Sequence, residues 1–95
     1  MERQADRLKR QATIINELGL HARAAAKIAE IARKASSAVR VARGNLEADA
    51  TSIIDILTLA GAPGATLVFT VADPDDCDIL NALVVLVNDG FGERQ

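Results

Sequence analysis

Hydrophobic residues repeat first with the period of a strand and then with that of a helix, and this alternation constrains the fold of this 95-residue chain most. Residues 8–15 alternate roughly between apolar and polar side chains, which predicts a strand. Residues 22–34 carry alanine and isoleucine at helical spacing, with lysine, arginine and glutamate between them. The second segment is therefore predicted to be an amphipathic helix.

The pattern in the middle of the chain predicts a hairpin followed by a second helix. Residues 38–43 form a predicted strand, the Gly44-Asn45 pair a two-residue turn, and residues 46–48 a short return strand. Ser52 opens the second helical pattern. Asp55 follows three residues later, in the arrangement of a capping box.

The last segments repeat the pattern of a strand followed by a helix. Gly61 and the Pro63-Gly64 pair are expected to end the second helix. Residues 65–72 are apolar and β-branched, which predicts a strand. The final helix is expected to begin at Pro74 and to end at Gly90. Its buried stripe is expected to contain Ile79, Leu80, Leu83, Leu86 and Val87.

The predicted order is β-α-β-β-α-β-α, which indicates an α+β fold. We expect a four-stranded antiparallel sheet with three helices on one face. Residues 8–95 are expected to form one domain, and residues 1–7 a polar, flexible extension.

Composition excludes several functional classes. Two phenylalanines are the only aromatic residues and the net charge is −2, so neither bulk charge nor base stacking supports nucleic-acid binding. Cys77 is the only cysteine, which indicates a reducing compartment. The N-terminus lacks the apolar core of a signal peptide and no segment is apolar enough to span a bilayer, so we expect a cytoplasmic protein. The acidic residues Asp73, Asp75, Asp76 and Asp78 are interpreted as a solvated helix start and not as a metal site.

The single histidine, His21, is the strongest functional candidate. It follows the Gly19-Leu20 pair and directly precedes the first helix. A helix N-terminus offers free N–H groups and partial positive charge, which favour bound phosphate and disfavour a charged imidazolium. The backbone N–H groups of Ala22 and Arg23 and the Arg23 side chain are therefore candidate phosphate ligands.

The segment Gly19-Leu20-His21-Ala22-Arg23, together with Ser52-Ile53-Ile54, Leu57-Thr58-Leu59 and Gly64, resembles the HPr family of the phosphoenolpyruvate-dependent phosphotransferase system. The resemblance extends from Leu8 to Glu93. It implies an open-faced β-sandwich, a histidine phosphocarrier function and phosphorylation of His21 at Nδ1, with Arg23 beside it. It also implies a monomer without a cofactor.

The same resemblance implies partners and a regulatory site. Enzyme I would donate the phosphoryl group, an EIIA-type protein would accept it, and a serine kinase of HPr would act on Ser52. Such a carrier is not an enzyme in the strict sense. The interface with partners is expected to include Ala22, Ala26, Lys27, Ile53, Ile54 and Leu57.

Two positions depart from the usual family pattern. Ala24 stands where proline is usual, which is similar to the nitrogen-related NPr branch and to alphaproteobacterial HPr proteins. Thr51 stands where lysine often precedes the regulatory serine. The residues also leave open a regulatory partner-binding module of the same fold, with His21 as an interface residue, or a ferredoxin-like ligand-binding domain.

Overall fold

The computed structural model describes residues 8–93, and the predicted flexible extension over residues 1–7 lies outside that range. The strands are β1 (Lys9–Thr13), β2 (Val39–Arg43), β3 (Leu46–Asp49) and β4 (Thr66–Val71). The α-helices are α1 (Ala22–Ala32), α2 (Ile53–Leu57) and α3 (Cys77–Asn88). Two 3₁₀ turns, Pro74–Asp76 and Gly90–Gly92, flank α3.

The four strands form one antiparallel sheet in the order β1-β4-β2-β3. In β1 the alternation holds, since Ala12 is buried while Gln11 and Thr13 are exposed. The helices pack against each other and against the sheet, and they enclose an aliphatic core around Phe69 and Phe91. The predicted α+β class, the element order and the antiparallel sheet are all confirmed.

The hairpin between β2 and β3 has the predicted two-residue turn. Arg43 pairs with Leu46, which leaves Gly44 and Asn45 as the loop. Of these two only Gly44 has a positive φ, of 61°. A glycine with positive φ at the first loop position is the arrangement of a type II′ turn.

All three α-helices are shorter than predicted, and α3 begins at Cys77 instead of Pro74 because residues 74–76 form a 3₁₀ turn. Helix α1 ends at Ala32, whereas its pattern predicted a helix up to about residue 34. Helix α2 ends at Leu57, although the apolar spacing continues to Leu59. Just beyond α2, Ala60 adopts a left-handed φ of 51°, which ends the helical path before Gly61. The apolar spacing continues because Leu59 is buried in the core after the helix itself has ended.

The predicted capping box is only half correct. The Ser52 hydroxyl accepts a hydrogen bond from the Asp55 N–H at 3.2 Å, as a cap should. The Asp55 carboxylate does not return to the Ser52 N–H but accepts from the Asp49 N–H at 2.7 Å. Aspartate is shorter than the glutamate of a full capping box, and here it links α2 to the end of β3.

The interpretation of the acidic cluster before α3 as solvated is wrong for Asp76. Its side chain is buried, and its two oxygens accept hydrogen bonds from the backbone and hydroxyl groups of Ser36 and Ser37. These bonds, led by that from the Ser37 hydroxyl, lower the pKa of Asp76. Asp73, in contrast, caps the 3₁₀ turn through the Asp75 N–H.

The predicted stripe of α3 is confirmed, with Leu80, Leu83 and Val87 fully buried and Ile79 and Leu86 half-buried. Across residues 8–93, no helix combines the length and the hydropathy that crossing a bilayer requires.

Candidate functional site

The loop between β1 and α1 brings His21 to the start of the helix. Gly19 has a φ of 64°, and a Cβ added to it would lie 2.6 Å from the carbonyl oxygen of Gly61. That carbonyl accepts a hydrogen bond from the Leu20 N–H at 2.8 Å. Glycine is therefore required at position 19 both for its backbone angle and for the close approach of a second loop.

His21 is the N-cap of α1. Its backbone is extended, with a φ of −87° and a ψ of 179°, and its carbonyl accepts from the Ala25 N–H. The Nδ1 atom accepts a hydrogen bond from the Arg23 N–H at 3.2 Å. The imidazole is 26% exposed, so one part of the ring reaches solvent while another contacts protein.

The other ring nitrogen, Nε2, contacts the Oε2 atom of Glu93. The second oxygen of this carboxylate accepts a hydrogen bond from the Asn16 amide at 3.0 Å. These contacts lower the pKa of Glu93, with the His21 bond contributing most, and the positive charge of Lys27 acts in the same direction. Glu93 is therefore an anion at neutral pH.

These contacts determine which nitrogen of the neutral ring carries the proton. A carboxylate can only accept, so Nε2 must carry a hydrogen to bond Glu93. A backbone N–H can only donate, so Nδ1 must present its lone pair to Arg23. For a neutral ring, the contacts of His21 thus select the tautomer with its proton on Nε2 and with the Nδ1 lone pair at the helix start.

Glu93 is placed by a left-handed turn that follows α3. Gly90, Phe91 and Gly92 have φ values of 63°, 59° and 74°. The Phe91 side chain is fully buried, and its carbonyl accepts a hydrogen bond from the Lys27 ammonium at 2.6 Å. The prediction that Gly90 ends α3 is confirmed, but neither Glu93 nor Asn16 was predicted to be a site residue.

Arg23 follows His21 by two residues, and its side chain is exposed. Within residues 8–93 its guanidinium has no hydrogen-bond or ion-pair partner, so it is available to a phosphate or to a partner protein. Ala22 is exposed as well, but Ala24 and Ala25 are fully buried. Of these three alanines next to His21, only Ala22 therefore offers surface to an approaching partner.

The remaining predicted interface residues differ in exposure. Ile54 is 80% exposed, Leu57 lies at the surface, and Ile53 is half-buried. Helix α2 therefore exposes two of these three apolar side chains. On α1, Ala26 and Lys27 are half-buried, and the Lys27 ammonium donates a hydrogen bond to the Phe91 carbonyl.

Ser52, the candidate regulatory residue, is half-buried at the start of α2. Its hydroxyl already serves the helix as a cap through the Asp55 N–H. The preceding residue, Thr51, donates from its backbone and its hydroxyl to Asp49, and its carbonyl accepts from the Arg33 guanidinium at 3.0 Å. The Arg33 guanidinium thus binds the backbone of the residue directly before Ser52.

Comparisons with known proteins find similar chains over almost the whole sequence. A family model described as the PTS HPr component phosphorylation site matches residues 8–89. The chain is 41% identical to phosphocarrier protein HPr of Cupriavidus necator, over 93% of this chain and 99% of that protein. It is 37% identical to phosphocarrier protein NPr of Shewanella violacea, over 92% of this chain and 96% of that protein.

A solved structure, HPr-C-His from Thermoanaerobacter tengcongensis, superposes with a TM-score of 0.84 at 33% identity. The match covers 92% of this chain and 98% of that one. The likeness therefore extends over most of the arrangement of sheet and helices.

Proposed function

Because this chain belongs to the HPr family of phosphotransferase-system phosphocarriers, we propose that His21 accepts a phosphoryl group from phosphorylated enzyme I and passes it to an EIIA-type protein. Phosphoenolpyruvate would be the first donor of the series. The observation that carries this proposal is the position of Nδ1 in a partly exposed imidazole, where it accepts a hydrogen bond from the Arg23 N–H at the start of α1. The chain acts as a stoichiometric carrier in the cytoplasm, and its partners contribute the other reacting groups.

The transfer needs only the Nδ1 lone pair as nucleophile. This pair forms the new N–P bond in line with the bond to the donor, which breaks and leaves its electron pair on the donor atom. The Arg23 N–H, which now contacts Nδ1, would then turn toward a phosphoryl oxygen. The N–H of Ala22, another donor of the first helical turn, would act in the same way.

The Arg23 guanidinium would add a charge-assisted hydrogen bond to the phosphoryl group. Each of these contacts contributes only a modest binding energy, which suits a carrier that must release its phosphoryl group. We expect Arg23→Ala to slow transfer by about tenfold, the effect of losing one such bond near the surface.

The exposed side chains on α2 provide a docking surface for both partners. Ile54 and Leu57 offer apolar area, and Ile53 supports them from a half-buried position. Together with Ala22, Ala26 and Lys27 on α1, they would form the interface that brings His21 to the donor.

Ser52 would be the control point of the carrier. A phosphate on its hydroxyl would lie at the N-terminus of α2, where the helix dipole favours it, and near the Arg33 side chain. The added negative charge would stand beside the exposed face of α2 and would weaken partner binding.

The test is phosphorylation of the purified chain by enzyme I and labelled phosphoenolpyruvate, followed by transfer to sugar-type and nitrogen-type EIIA proteins in parallel. We expect an acid-labile, base-stable label on the wild type and none on His21→Ala. A wild type that stays unlabelled, or a His21→Ala variant that labels equally, would favour the alternative of a regulatory partner-binding module. The acceptor that takes the label faster identifies the pathway.

A further inference from the structure

The side chain of Asn16 holds Glu93 in place, although this leaves the Asn16 oxygen without a hydrogen bond. Asn16 is fully buried, and its amide nitrogen donates both to the Gly19 carbonyl at 2.9 Å and to Glu93 at 3.0 Å. Both partners are acceptors, so the amide orientation is fixed. Its own oxygen is then left buried without a hydrogen-bond partner among residues 8–93. An unpaired buried acceptor is unfavourable, so its presence in this loop calls for an explanation.

The turn before Glu93 is also fixed by specific contacts. Three consecutive residues have left-handed backbones, one of them the non-glycine Phe91. A buried aromatic ring and the Lys27 ammonium fix the turn from two sides. Glu93 is therefore brought to Nε2 by the surrounding protein, and it does not depend on a chance contact of a surface side chain.

We propose that Glu93 is a positioning residue for His21, whose carboxylate holds the ring proton on Nε2 and so leaves Nδ1 as the phosphoryl acceptor. This inference rests on the proposed function and adds a residue to it. When the Nδ1 lone pair forms the N–P bond, the ring keeps its Nε2 proton and becomes positively charged. The Glu93 carboxylate then neutralises that charge, as the carboxylate partner of a reacting histidine does elsewhere. No proton has to leave the ring during the step.

Two substitutions separate the hydrogen bond from the charge. Glu93→Gln keeps an oxygen that can accept from Nε2 but removes the negative charge, and Glu93→Ala removes both. Glu30→Gln is the matched control, because it makes the same change of charge on an exposed residue of α1. Glu30 is nine residues beyond His21 along the helix, about 14 Å away.

The first measurement is the rate of phosphorylation by enzyme I at saturating and at limiting chain concentration. We expect Glu93→Gln, which loses only the charge, to lower kcat by about tenfold, the lower end of the loss when a metal-bound histidine loses its carboxylate partner. Glu93→Ala, which also loses the hydrogen bond, should lower kcat further, and KM should be unchanged in both variants. Glu30→Gln should keep the wild-type rate. A wild-type kcat in Glu93→Gln would overturn the proposal.

The second measurement is independent of transfer and uses the ring nitrogens of His21 observed by NMR. The wild type should show a slowly exchanging proton on Nε2 and a bare Nδ1. This proton signal should persist in Glu93→Gln and disappear in Glu93→Ala, while the backbone spectrum reports an intact fold. A wild-type ring with its proton on Nδ1, or a signal unchanged in Glu93→Ala, would refute the role of Glu93.

The kinetic and NMR measurements also distinguish a failure of the proposed function from a failure of the proposed role of Glu93. If the wild type accepts no phosphoryl group, the proposed function fails. The NMR arm then still decides whether Glu93 holds the Nε2 proton.

Discussion

The loop before His21 can be tested by replacing a single glycine. Gly19 and Gly44 have nearly the same backbone angle, with φ values of 64° and 61°. They differ in their surroundings. A Cβ at position 44 would contact nothing within 4 Å, whereas one at position 19 would lie 2.6 Å from the Gly61 carbonyl oxygen. Gly44→Ala is therefore the matched control for Gly19→Ala.

The magnitudes follow from this difference. A positive φ disfavours alanine by about 1–2 kcal/mol, and both variants carry this penalty. The gain from a stiffer unfolded chain is also common to both and cancels between them. Gly19→Ala must in addition push the Gly61 loop away and lose the Leu20–Gly61 hydrogen bond, which contributes about 1 kcal/mol. We expect Gly44→Ala to lose about 1 kcal/mol and Gly19→Ala about 2–3 kcal/mol in the free energy of unfolding.

Urea unfolding followed by circular dichroism measures both values. The two variants should have the wild-type m value, so that the shift in midpoint reports stability. Equal losses in Gly19→Ala and Gly44→Ala would refute the argument that a close backbone approach fixes the loop in front of His21.

Three further predictions concern other parts of the molecule. Ser52→Ala should lose about 1 kcal/mol of unfolding free energy in urea denaturation, because the cap of α2 is removed. Ile54→Ser should change that free energy by less than about 0.5 kcal/mol, since the side chain is 80% exposed, yet weaken binding to enzyme I in calorimetry. Asp76 has a lowered pKa in the fold, so its stabilisation is present above about pH 4 and is lost as pH falls through the lowered pKa. Asp76→Asn should therefore flatten the acid side of a stability–pH series.

Each of these predictions has a contrasting outcome. A Ser52→Ala variant as stable as the wild type would show that the cap is unimportant. Val85→Ser is the control for Ile54, because Val85 is an exposed apolar residue on α3, and an equal loss of binding in both would argue against docking on α2. For Asp76, an Asn variant that loses stability in acid as steeply as the wild type would locate the responsible group elsewhere.

Local chemistry made much of the fold predictable. The His21 and Ser52 caps, the Gly44 turn and the apolar stripe of α3 depend on residues close together in the sequence, and the structure contains all of them. Helix ends were less predictable. Leu59 has the spacing of a helical core residue but is buried by the loop beyond α2.

The unpredicted parts of the site depend on distant contacts. Glu93 reaches Asn16 and His21 across 77 and 72 positions of the sequence. Asp76 is buried because Ser36 and Ser37, about 40 positions earlier, offer donors to it. No periodicity or capping rule encodes such contacts. Only the Gly-Phe-Gly sequence before Glu93 hints that the chain turns back there.

The central claim is that Nδ1 of His21 is the atom that receives phosphate. Phosphorylating ¹⁵N-labelled chain with enzyme I and phosphoenolpyruvate, and recording the imidazole nitrogens by NMR with phosphorus coupling, tests this claim directly. The account predicts coupling to phosphorus at Nδ1 and a retained proton on Nε2. Coupling at Nε2, or phosphate on a residue other than His21, would contradict it.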